Sequence, residues 1–76
     1  MKAIRITSCR DGHMWYAPFV GRLAVYRGYN SGEFLSREPA GYTNIILGCD
    51  GELIEVSEEE WNRDRLDSSL ETKNSS

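Results

Sequence analysis

Apolar and polar residues alternate in short runs along most of this chain. In residues 2–7, Ile4 and Ile6 fall on one face and Ala3, Arg5 and Thr7 on the other. That period of two predicts a half-buried strand. Residues 22–29 alternate again, with Leu23 and Val25 on one side and Ala24 and Tyr26 on the other. Residues 33–38, 42–48 and 52–56 complete a set of five expected strands, the fourth carrying the apolar centre Ile45-Ile46-Leu47. Residues 8–14 are polar and contain Asp11-Gly12, which predicts a loop. Residues 15–21 are aromatic and apolar but broken by Pro18, which suits an irregular arm laid on the core. Asn30-Ser31-Gly32, Pro39-Ala40-Gly41 and Cys49-Asp50-Gly51 supply the turns. The Asp50-Gly51 pair has the chemistry of a tight hairpin with positive φ.

The period changes at Ser57. Ser57 followed three residues later by Glu60 is a capping box, in which each side chain bonds the other residue's backbone N–H. Val56 and Trp61 stand at the positions of a hydrophobic staple, and Glu58, Glu59 and Glu60 suit the positive end of a helix dipole. A helix is therefore expected over about residues 57–66, anchored by Trp61. Residues 67–76 hold one aliphatic side chain, Leu70, and read as a disordered tail.

Short strands, glycine-rich turns, one long first loop and a final helix predict a mainly β fold. The expectation is a small five-stranded SH3-like barrel in a single domain, residues 1–66. An OB-fold suits less well, because it usually inserts a helix between its third and fourth strands. The residues Trp15-Tyr16, Val20-Gly21, Val25, Arg37-Glu38-Pro39, Gly41-Tyr42 and Asn44-Ile45-Ile46 give a pattern that resembles short uncharacterised phage and prophage proteins with an SH3-like barrel. The resemblance covers roughly residues 4–56. It implies a fold and no activity.

Charge narrows the choice of partner. The chain has 76 residues and a formal net charge of −3. Lys2, Arg5, Arg10, Arg22, Arg27 and Arg37 balance Asp11, Glu33, Glu38, Asp50, Glu52 and Glu55, so residues 1–56 are neutral. The excess of acid lies beyond Val56. A nucleic-acid binder draws most of its affinity from phosphate neutralisation, and the basic excess this needs is missing. No apolar run is long enough to span a membrane, and the N-terminal residues lack a signal peptide's apolar core. A cytoplasmic protein with two reduced cysteines is the expectation.

The residues with chemical potential are few. Cys9, Asp11 and His13 share one loop, and Cys49 and Asp50 another. With one histidine and no Cys-x-x-Cys pair, Cys9, His13 and Cys49 are weak metal candidates, and no cofactor is expected. Cys9 with His13 would also need an orienting group and oxyanion donors to act as a nucleophile and base. A barrel this small rarely encloses the shielded pocket catalysis needs, and no phosphate-binding loop is present, so no enzyme is expected. The aromatic residues are the stronger signal. Most should fill the core, but Tyr16, Tyr26 and Tyr29 near Arg27 and Arg37 would make the amphipathic patch typical of an interface. The reading is a non-catalytic protein-binding module, monomeric or homodimeric, acting on a host or viral protein. The alternatives are a weak nucleic-acid-binding barrel and a small metal-binding protein.

Overall fold

A computed structural model describes residues 1–66. The expected tail, 67–76, lies outside the described residues. Six strands form two three-stranded antiparallel sheets. Strand β1 (Lys2–Ile6) is the centre of the first sheet, between β2 (Leu23–Val25) and β6 (Gly51–Glu55). The second sheet is the meander β3 (Gly28–Asn30), β4 (Glu33–Arg37) and β5 (Thr43–Leu47). The helix α1 (Glu58–Asp64) follows.

The expected barrel of five strands is not formed; the strands divide into two sheets. The run 22–29 does not stay in one ladder. Val25 still faces Ala3 of β1, whereas Gly28 faces Leu35 of β4, and Tyr26 and Arg27 lie between. The Arg27 N–H donates to the Leu35 carbonyl at 2.9 Å. The buried Ser36 hydroxyl donates to the Val25 carbonyl at 2.7 Å, so the break leaves neither group unsatisfied. One stretch of chain thus serves both sheets. At its far end Ser31 and Gly32 both take positive φ, 53° and 83°, which makes the two-residue hairpin into β4.

The main core lies between the sheets. Ile4 and Ile6 meet Ala24, Phe34 and Ile46, with Tyr16 and Leu66 closing the ends. Gly51 packs tightly against Ile4 of its own sheet and Ile46 of the other. A Cβ there would stand 2.8 Å from Ile4 Cγ2 and 3.2 Å from Ile46 Cγ2. Gly51 is therefore required by packing, and the expected positive-φ hairpin at Asp50-Gly51 does not occur.

The first strand is covered on both faces, not one. Ala3 is as fully buried as Ile4, because Ala3, Leu23 and Val56 form a second small core under Trp61 and Ile54. The helix supplies that cover, and its start follows the sequence. Ser57 Oγ accepts the Glu60 N–H at 3.0 Å, and the reciprocal bond completes the capping box. The helix ends two residues before the expected limit. Arg65 turns extended and the Leu66 N–H donates to the Leu23 carbonyl at 2.9 Å. The Arg22 guanidinium donates to the carbonyls of Asp64 and Arg65, which are otherwise exposed by the helix end.

Candidate functional site

The passage from β2 to β3 leaves a cleft of about 300 Å³ beside it. Val25 and Arg27 line one wall, two residues apart in extended chain and so on one side. Arg37, Glu38, Pro39 and Gly41, from the end of β4 and the turn after it, line the second. Trp61 and Leu66 close the third. The turn is held by two backbone bonds, Gly41 N–H to the Glu38 carbonyl and Glu38 N–H to the Tyr42 carbonyl, both 2.8 Å. Gly41 supplies the positive φ of 101° that the turn takes. The volume sits at the lower end for small ligand pockets and suits a side chain or two of a peptide.

The electrostatics of this cleft are lopsided. Arg27 and Arg37 are exposed, and among the described residues neither makes an ion pair or a side-chain hydrogen bond. Glu38 is the carboxylate of the cleft, and its Oε2 accepts from Asn44 Nδ2 at 2.9 Å. Two cations thus face a cleft that also offers Val25, Pro39, Leu66 and the half-buried Trp61 ring. A charged head with an apolar flank matches that lining.

The residues singled out from sequence separate here. Arg27 and Arg37 come together at the cleft. Tyr26 does not; it turns onto the main core, edge-on to Phe34 with ring centres 6.4 Å apart. Tyr29 is exposed and edge-on to Phe34 at 5.0 Å, and it is not among the cleft residues. Tyr16 has no exposed surface, which removes it from any binding patch. Trp61, read from sequence only as an anchor, is the aromatic of the cleft. Tyr42, next to Gly41 in the chain, is the most exposed large apolar side chain among the described residues, at 71%. The signal for both was their tie to Pro39-Ala40-Gly41 and to the helix cap, which shows only once those turns are placed in space.

Tyr16 instead belongs to a buried polar cluster. Its hydroxyl donates to Asp50 Oδ2 at 2.5 Å and accepts the Leu47 N–H at 3.4 Å. Ser8 Oγ donates to Asp50 Oδ1 at 3.0 Å, and the Asp50 carbonyl takes the N–H groups of Thr7 and Ser8. The Tyr16 hydrogen bond holds the Asp50 carboxyl below its ordinary range against the opposing effect of burial, with Ser8 and Arg10 adding to it. Burial, then the Asp50 bond, pushes the Tyr16 phenol well above the ordinary tyrosine range. Asp50 was read from sequence as a turn residue. Nothing local reveals its partner, which lies 34 residues away.

The cysteines and His13 do not assemble. Cys9 Sγ donates to the Asp11 carbonyl at 3.0 Å, and burial with the Asp50 and Asp11 charges pushes its thiol up. That direction opposes thiolate chemistry. Cys49 and His13 are exposed. Among the described residues no group of three or more His, Cys, Asp or Glu could hold a metal ion. No helix among them is long and apolar enough to cross a membrane. No protein-family model matches this chain, and neither a curated protein nor a solved structure matches it.

Proposed function

We propose that this chain is a non-catalytic protein-binding module whose Arg27–Arg37–Trp61 cleft holds an acidic, apolar-flanked segment of another protein. The observation that carries the reading is the pair of cations lining one cleft without an acidic partner among the described residues. An exposed arginine left unpaired beside an aromatic ring is a common interface anchor. The strand order supports an SH3-like arrangement in open form, with β1 between β2 and β6 and a separate three-strand meander. On this reading the partner is a host or viral protein.

An array of ten-residue peptides, acidic, neutral and basic, tests the reading. Acidic peptides should bind, and Arg27→Glu with Arg37→Glu should weaken them ~10-fold or more per arginine, the worth of one charge-assisted hydrogen bond of about 1.5 kcal/mol. Capture of basic peptides, or equal capture by the double variant, contradicts it. Salt-sensitive binding of an oligonucleotide to the same arginines, and of no peptide, would replace it with the nucleic-acid reading.

A further inference from the structure

The two sheets differ in how their edges are finished. Along β5, Ile45 N–H donates to Asn44 Oδ1 at 2.8 Å and the Ile45 carbonyl accepts from Trp15 Nε1 at 2.7 Å. Leu47 N–H reaches the Tyr16 hydroxyl, and the Leu47 carbonyl takes the Asp50 N–H. The long first loop thus uses two aromatic side chains to close that edge. On β2 the carbonyls of Leu23 and Val25 are taken by Leu66 N–H and Ser36 Oγ. Strand β3 is only three residues long.

Strand β6 is the exception. Met1 and Val56 exchange both backbone bonds, at 2.9 and 2.8 Å. Alternation along an antiparallel pair then gives Ala3–Ile54 and Arg5–Glu52 as bonded pairs. Gly51, Leu53 and Glu55 must turn their N–H and C=O groups outward. No hydrogen bond to those groups exists among the described residues. Leu53, at the middle of the strand, is 37% exposed. A bare five-residue edge with an apolar centre is a template for another strand.

We infer that β6 pairs with β6 of a second copy of this chain, antiparallel about a two-fold axis at Leu53. That register sets Leu53 against Leu53, Gly51 against Glu55 and Glu52 against Ile54. No glutamate opposes a glutamate, and like charges directly opposite are what such a pair must avoid. Glu55 is also already paired with the Met1 amine at 2.9 Å. A bound peptide would need pockets beside the edge for its side chains, whereas the Arg27–Arg37 cleft contains no β6 residue. Self-pairing needs no pocket. It makes one continuous sheet in the order β2-β1-β6-β6-β1-β2 and leaves the cleft of each copy free. Two five-residue strands bury much less than the ~1,200 Å² of a stable interface, so the dimer is a weak one that needs a concentrated chain.

Sedimentation equilibrium of the full chain up to about 1 mM tests this. The mass should rise from 8.7 kDa toward twice that value. Leu53→Pro removes an N–H that points outward, so the internal ladder and the far-UV spectrum should survive while dimerisation falls at least tenfold. Leu53→Lys should do the same without a backbone change. In a Cys9→Ser, Cys49→Ser background, Leu53→Cys should cross-link to itself in oxidised glutathione, because bonded antiparallel partners stand about 5.5 Å apart at Cα, a distance that suits a disulfide. Ile45→Cys, where Asn44 and Trp15 close the β5 edge, should stay monomeric. A monomer throughout, a dimer untouched by both Leu53 variants, or equal cross-linking at the two edges overturns the inference. So does β6 taking up a basic peptide in place of a second copy.

Discussion

The Asp50 cluster and the Arg27–Arg37 cleft treat charge in opposite ways. Asp50 is fully buried, yet each oxygen of its carboxylate accepts a hydroxyl, Oδ2 from Tyr16 and Oδ1 from Ser8. Its charge is used up inside the molecule, pinning the first loop to the β5–β6 turn. Arg27 and Arg37 lie in solvent beside apolar walls, and among the described residues no carboxylate pairs with them. Buried charge must be satisfied internally or it costs several kcal/mol, and exposed charge carries no such demand. A saturated group therefore reports on the fold. Charge left unsaturated at a concave surface is available to a partner.

The largest effect that would sharpen this contrast is on the fold. Asp50→Ala leaves the Tyr16 and Ser8 hydroxyls without an acceptor, and stability should drop by about 2–4 kcal/mol in a urea titration. A loss under 0.5 kcal/mol would mean the cluster is not structural. Gly51→Ala comes next. Its Cβ meets Ile4 and Ile46 below contact distance, and overpacking should cost about 1–3 kcal/mol.

The pH dependence follows from the same pair. Asp50 has a folded pKa below its unfolded value, so its contribution is present above about pH 4 and is lost as pH falls through the folded value. Tyr16 has a folded pKa above its unfolded value of about 10. Its contribution is complete below pH 10 and is lost as pH rises beyond it. Thermal unfolding should show a plateau between, and Tyr16→Phe should flatten the alkaline limb. The smallest expected effect is on the other region. Arg27→Glu and Arg37→Glu should each change stability by no more than about 0.5 kcal/mol, because neither side chain is part of an internal network. A larger loss would make the cleft part of the scaffold.

What could be read from sequence followed the range of the interaction. The Ser57–Glu60 cap and the Val56–Trp61 staple are local, and both formed as their spacing required. Alternation placed Ile4 and Ile6 in the core. It also set Tyr26 apart from Val25 and Arg27, but it could not say which face met water. In β2 both faces are covered, one by the second sheet and one by the helix, so Tyr26 turned inward. The two arginines were singled out in sequence because they lie near Tyr26 and Tyr29, and the fold brings both to the cleft. Their aromatic neighbour was not, since Trp61 reaches them across the fold. Tyr16 was misplaced for the same reason. Its partner Asp50 lies in a distant turn, and only the closed first loop brings them together.

The division between saturated and available charge is tested most directly at the Trp61 indole. Titrating the ¹⁵N-labelled chain with an acidic peptide from the array should move the Trp61 indole N–H resonance. The Arg27→Glu/Arg37→Glu variant should unfold at the same temperature as the parent and show no movement. A Trp61 resonance that stays fixed in the parent, or moves equally in both proteins, contradicts the account.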